Sequence, residues 1–169
     1  MNYEFCPKCA GRLEATNVSH PVCLKCGYVF YQNSKPTASA VIQDGEGKVL
    51  LVKRAMEPSY GKWDLPGGFL ENGEDPIVGL KREAKEELSL AVEPGNILTV
   101  CVDEYGYEKG ELYTLNLFYR SKAQGKIKLD KENSEYGWFG KDEIPWNELA
   151  FKNTHVALKA LYKLDNLPL

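Results

Sequence analysis

The sequence predicts an α+β protein, a mixed β-sheet sandwiched by helices, preceded by a small metal-stapled segment. Three observations predict it. Four of the five cysteines form two Cys-x-x-Cys pairs within the first 26 residues. Short aliphatic and aromatic runs, separated by Gly, Pro, Asn and Asp, recur between residues 37 and 139, as strands do. Two stretches, one opening at Pro76 and one over 153–164, instead carry apolar residues at helical spacing.

The totals set limits. A chain of 169 residues suits one main domain with a small appendage. A net charge of -3 disfavours broad electrostatic binding to nucleic acid or to an anionic membrane. An anionic substrate must therefore be held by local cations. No run has the length of a signal peptide's apolar region or of a membrane span, roughly 18 apolar residues, so a cytoplasmic location is expected.

Residues 1–33 come first. Cys6-Pro-Lys-Cys9 and Cys23-Leu-Lys-Cys26 are separated by thirteen residues. Each knuckle presents two thiolates from one tight turn, and two knuckles complete a tetrahedral four-cysteine zinc site. Structural disulfides and a redox motif are the competing readings, the first disfavoured in the cytosol. A segment of fewer than about 40 residues also needs such a staple to fold. The segment looks like a zinc ribbon. Cys101 stands alone in an apolar run and reads as a small core residue.

The main domain, residues 36–169, follows the polar joint Asn33-Ser-Lys-Pro36. Residues 37–42 and 48–53 read as strands joined by the turn at 44–47. Residues 58–68 are turn-rich and read as a loop held by Tyr60 and Trp63. Segments 97–107 and 111–120 read as a hairpin across Lys109-Gly110, with Tyr113, Leu115, Leu117 and Tyr119 alternating onto one face. Residues 125–129 and 136–139 read as further short strands, and 153–164 as a closing helix with Val156, Leu158, Ala160, Leu161 and Leu164 apolar.

The helix opening at Pro76, with Asp75 as its cap, sorts its charges. At about 100° per residue, Glu83, Glu86 and Glu87 share an arc of about 100°. Ile77, Leu80, Ala84 and Leu88 form an apolar stripe beside that arc, while Lys81 and Lys85 point to solvent. Arg82 lies at the edge of the acidic face, within reach of Glu86. Three crowded carboxylates call for a cation, and an oxygen-only donor set with no nearby histidine suits Mg2+ or Mn2+. Gly79 sits mid-helix within the acidic arc, at a cost of up to about 1 kcal/mol relative to alanine; room for metal ions and plain tolerance are both open readings.

Taken together, Gly68-Phe-Leu-Glu-Asn-Gly-Glu74, seven further residues, and Arg82-Glu-Ala-Lys-Glu-Glu-Leu-Ser-Leu90 resemble the signature of the Nudix hydrolases. The one fixed residue that departs is Ser89, where the family has glycine. Leu65-Pro-Gly-Gly68 and Leu149-Ala-Phe151 are also similar, the ribbon and the far end most of all to ribbon-bearing ADP-ribose and FAD pyrophosphatases. The resemblance implies Mg2+-dependent hydrolysis of a nucleoside diphosphate linked to another moiety: FAD, ADP-ribose, NADH or a similar compound. By the same resemblance Glu83, Glu86 and Glu87 would hold magnesium, with the Gly68 carbonyl adding a ligand and Arg82 orienting a glutamate. Glu74 would order the loop. The proton acceptor would be Glu83 or a later glutamate, Glu135 ahead of Glu132.

Arg54 would contact phosphate, against a plain surface role, and Phe69 and Tyr105 would stack on a base, against plain core packing. The aromatic and proline array of NADH-specific members is absent after Leu90, which disfavours NADH as the sole substrate. Members of the family often dimerise, so a homodimer is compatible. The alternative reading is a nucleic-acid-binding ribbon on a spent or nucleotide-directed scaffold, for which Lys8, Arg12, Lys25 and Lys35 offer only a thin basic patch.

Overall fold

Burial along the first strand sets the architecture. Strand β1 (Lys35–Ile42) sends Ala38, Ala40 and Ile42 into one core cluster and Val41 into another, so both of its faces are covered. The computed structural model describes residues 3–14, 20–106 and 112–163. After β1 come β2 (Val49–Arg54), β3 (Trp63–Asp64), β4 (Gly67–Phe69), α1 (Pro76–Leu88), β5 (Ala91–Tyr105), β6 (Leu112–Gln124), β7 (Asn133–Phe139) and α2 (Lys152–Tyr162). One sheet has the order β4-β1-β6-β5 and is mixed, because β1 runs parallel to β6 while its other pairings are antiparallel. The second, β3-β2-β7, is antiparallel. Leu80, Ala84 and Leu88 of α1 close one side, against Leu50 and Val52 of β2, and Ala157, Leu158 and Leu161 of α2 close the other, against Val49 and Leu51. The expected sheet between helices is what forms.

Several expectations are corrected. Ile77, expected on the core stripe, is 42% exposed, as is its neighbour Val78 at 58%, so the buried stripe of α1 starts only at Gly79 and Leu80. The 58–68 loop contains β3 and the start of β4, two strands too short for any alternation to reveal them. Strand β5 begins six residues before the expected start, with bulges between Pro94 and Thr99 that hide its period. Residues 125–129 are not a strand; their backbone is turned to α1, where Lys128 N donates to the Leu88 carbonyl. The apolar alternation of β6 reaches the core only through Leu117 and Tyr119, whereas Tyr113 and Leu115 are exposed and Thr114 and Asn116 are buried. Helix α1 packs chiefly on β1, β4 and β5, and the start of β6 is left uncovered at Tyr113 and Leu115. Cys101 is half-buried against the α2-side cluster. The turn at Lys109-Gly110 and Leu164 lie outside the described residues.

The two cysteine knuckles are built alike. Cys6 N donates to Gly11 O and Ala10 N to Cys6 O; Cys23 N donates to Tyr28 O and Gly27 N to Cys23 O. The residue after each second cysteine, Ala10 or Gly27, is left-handed. Leu13 and Phe30 pack beside the thiols.

Helix α1 ends at Ser89 in the left-handed conformation, φ 57°, its N–H donating to Lys85 O. A serine there bears a Cβ penalty that glycine escapes. Ser89→Gly is therefore expected to stabilise the chain by about 1 kcal/mol, raising the thermal midpoint by roughly 2–4 °C in a calorimetric scan; an unchanged or lower midpoint would show that the serine is not strained.

Candidate active site

The cap of α1 fixes where its glutamates lie. Asp75 accepts from Ile77 N at 2.8 Å and Pro76 occupies the first turn, where no N–H is required. Helical phase then brings Glu83, Glu86 and Glu87 to the wall of one cleft of about 370 Å³, as expected.

Arg82 organises that wall. Its Nε and Nη2 donate to the two oxygens of Glu74, each at 2.9 Å, and its Nη1 to Glu83 at 2.8 Å and Glu86 at 3.1 Å. Nη2 also donates to the Phe69 carbonyl at 3.1 Å. The sequence suggests the contact with Glu86; the fork onto Glu74, eight residues back, depends on the turn between β4 and α1. Glu74 accepts in addition from Glu71 N, so it orders the loop. The Arg82 hydrogen bonds, helped by that backbone donor, hold its carboxyl at about 2, well below the usual range. Gly79 owes its identity to the same turn. A Cβ there would strike Leu70 and lie 2.8 Å from the Glu74 carboxylate, so the space expected for metal ions is filled by protein.

Glu83 and Glu87 lack comparable compensation. Burial pushes Glu83 upward against the opposing effect of Arg82, and burial pushes Glu87 up to about 8 although Gly67 N donates to it at 3.0 Å. Gly68 packs so closely on Glu83 that a Cβ would stand 2.7 Å from its carboxyl carbon. The three α1 carboxylates, with no histidine or cysteine in the lining of the cleft, could hold a hard divalent cation.

The later glutamates are in the opposite order to that expected. Glu135 is exposed, pairs with Lys53 at 3.0 Å and lies outside the cleft, because β7 points it outward beside β2. Glu132, one residue ahead of β7, lines the cleft with the α1 glutamates. Arg54 also lines it: Nε donates to Pro58 O at 2.8 Å, Nη1 lies 3.8 Å from Asp64 and the guanidinium sits 5.1 Å over the Phe151 ring. Phe69 and Tyr105 meet edge to face at 5.3 Å, and Tyr105 lies 5.4 Å from Phe151, so an aromatic wall faces the glutamates.

Sequence reasoning missed the polar floor of the cleft. Thr37 Oγ1 donates to Asn116 Oδ1 at 2.8 Å across the β1–β6 pairing, and Asn153 Nδ2 donates to the same oxygen at 3.1 Å. Asp103 accepts from Asn153 N, and Asp64, whose carboxyl burial pushes upward, accepts from Thr154 Oγ1. The only available signal was a polar residue between apolar ones in β6, which alternation assigns to solvent.

At the other end of the chain, Cys6 and Cys26 sulfurs are 3.9 Å apart and Cys9 and Cys23 sulfurs 3.6 Å, all four lying within 4.8 Å of one another. The edge of a tetrahedron with metal–sulfur bonds of about 2.3 Å is about 3.8 Å. These sulfurs, far outside disulfide distance, could hold one zinc ion.

The NUDIX domain profile matches residues 33–162. A crystal structure of a NUDIX hydrolase from Nitrosomonas europaea is 32% identical, with a TM-score of 0.76, over 98% of this chain and 95% of that chain. An ADP-ribose pyrophosphatase of Methanocaldococcus jannaschii is 28% identical over 129 residues, 76% of this chain and 74% of its own length. The human 8-oxo-dGDP phosphatase is 31% identical over 129 residues, 73% of this chain but 38% of its own length. The chain thus spans about a third of the length of the vertebrate 8-oxo-dGDP phosphatases it matches.

The Arg82–Glu74 pair has a defined pH signature. Glu74 titrates near 2 in the folded chain against an ordinary value of 4.5, so its stabilisation is present above the ordinary value and is lost as pH falls through the folded one. Glu74→Gln is expected to lower the thermal midpoint near neutral pH, with the gap to the unsubstituted protein closing toward about pH 2. A gap that stays constant over that range would place the effect in packing instead.

Proposed function

The chain belongs to the NUDIX family, and we propose that it is a Mg2+-dependent pyrophosphohydrolase of a nucleoside diphosphate linked to another moiety. The observation that carries this reading is the meeting, in one cleft, of the three α1 glutamates with Arg54 and the aromatic wall. A diphosphate brings negative charge to a site with six carboxylate side chains and one arginine in its lining, so a cation must come with it. Glu83, Glu86, Glu87 and the Gly68 carbonyl would hold that ion. When bound, it would screen the phosphates, polarise the phosphoryl oxygens and acidify water.

The chain's own groups divide the remaining work. Arg82 keeps Glu83 and Glu86 turned to the cleft. Arg54, already braced by Pro58 O, Asp64 and Phe151, would offer its remaining N–H groups to a phosphate oxygen. Phe69, Tyr105 and Phe151 would receive the base, with the Asn116–Asn153 floor limiting its depth. Glu132 takes the proton of the attacking water, in preference to Glu135, which faces away. The products are a nucleoside monophosphate and the phosphorylated second moiety. Among linked diphosphates the relatives favour ADP-ribose; 8-oxo-dGDP, which has no second moiety and would release orthophosphate, is the other candidate they favour.

We also assign residues 1–33 to a zinc ribbon holding one structural zinc ion through Cys6, Cys9, Cys23 and Cys26, ahead of a catalytic domain over 36–169. The sulfur spacing supports this assignment.

Turnover of ADP-ribose, FAD, NADH and 8-oxo-dGDP at one Mg2+ concentration tests the first proposal. Glu86→Gln and Glu87→Gln are expected to abolish Mg2+-stimulated hydrolysis, and Glu132→Gln to lower kcat by about 10²–10⁴-fold, whereas Glu135→Gln changes it little. Full turnover in both α1 variants would sink the metal assignment. For the ribbon, elemental analysis of freshly reduced protein should find about one zinc per chain, lost in Cys6→Ser/Cys23→Ser; metal-free wild-type protein would refute it.

A further inference from the structure

The segment between β6 and β7 has no regular structure, yet it is bound to two other parts of the fold. A helix leaves its last four carbonyls without intrahelical donors. In α1, Ser89 N and Leu90 N turn back onto Lys85 O and Ala84 O. The two nearest the end are capped from outside: Lys128 N donates to Leu88 O at 2.9 Å and Asp130 N to Glu87 O at 3.1 Å. The Asp130 side chain then accepts from Glu132 N at 2.9 Å, and Glu132 O accepts from Ala55 N, beyond the end of β2, at 2.7 Å.

Glu132 therefore has both of its main-chain polar groups bound while its side chain lines the cleft. One of those bonds comes from a residue docked on the peptide of Glu87, itself a member of the α1 cluster. A proton acceptor must lie within about 2.6–3.2 Å of the proton it takes, and a displacement of about 1 Å can cost about 10²-fold in rate. A loop glutamate needs such anchoring; a helix glutamate has it already.

We propose that Asp130 is the positioning residue of the reaction: its backbone N–H docks the loop on the last turn of α1 and its carboxylate fixes Glu132 against the metal-binding face. This rests on the reading of Glu132 as proton acceptor.

The side-chain oxygen of asparagine can accept the Glu132 N–H, and alanine cannot. In the full chain with Mg2+, Asp130→Ala is expected to lower kcat on the order of 10- to 100-fold at unchanged KM, and Asp130→Asn to recover most of that loss. In the Glu132→Gln background Asp130→Ala should add no further loss, since it acts through the missing carboxylate. Hydrogen exchange at the Glu132 amide should quicken in Asp130→Ala and not in Asp130→Asn. An equal loss of kcat in both backgrounds, or equal amide protection in all variants, would overturn the proposal. Failure of the hydrolase reading is distinct: the unsubstituted chain would then turn over none of ADP-ribose, FAD, NADH and 8-oxo-dGDP, taking the catalytic role of Asp130 with it.

Discussion

Like charge crowded on one helix face is the constraint around which this domain is arranged. Three glutamates within about 100° of arc repel one another, and the surface helix pairs that could relieve them are worth only about 0.3–0.5 kcal/mol each. Arg82 answers with hydrogen bonds to three carboxylates and a carbonyl. It draws Glu74 and the Phe69 carbonyl onto the helix, so the turn from β4 into α1 is held by the same guanidinium. Gly79 follows from that arrangement, because a side chain there would collide with the turn.

What Arg82 leaves unneutralised is as informative as what it binds. Glu87 lies on the far side of the arc, accepts a hydrogen bond from the Gly67 amide and is pushed up to about 8 by burial. Its surroundings therefore disfavour the charged form, a cost that a bound cation would offset. Gly67 and Gly68 keep the β4 backbone close to these carboxylates, since Cβ atoms at either would collide with β1 or with Glu83. The site thus combines a charged helix with a bare backbone edge.

The opposite side of the cleft is built from the sheet. Parallel pairing of β1 with β6 sets Thr37 beside Asn116, and α2 brings Asn153 to the same oxygen. The hydrogen bonds of Thr37, Asn116 and Asn153 are made within this network and to neighbouring backbone. Tyr105 at the end of β5, Phe69 of β4 and Phe151 ahead of α2 come from three distant points of the chain to form the wall. Their convergence gives apolar surface to a cleft otherwise lined mostly by polar and charged side chains.

The helix, its cap and its sorted faces could be read from the sequence because they follow from local rules: a period of about 3.6 residues, a capping aspartate and a proline in the first turn. The cysteine spacing was legible for the same reason, as the reach of a tight turn is a local property. Alternation along β6 misled, since it reports which residues are apolar and not how far a helix extends over a strand. Glu132 and Glu135 are indistinguishable in a polar loop; only the hydrogen bonds between that loop and α1 and Ala55, 40 or more positions away, turn the first inward and leave the second to Lys53. Residue type and helical period already establish which groups carry charge and which helix face bears them. What stands opposite that face is set by folding alone, because the contacts between distant strands, loops and helix ends have no period along the chain.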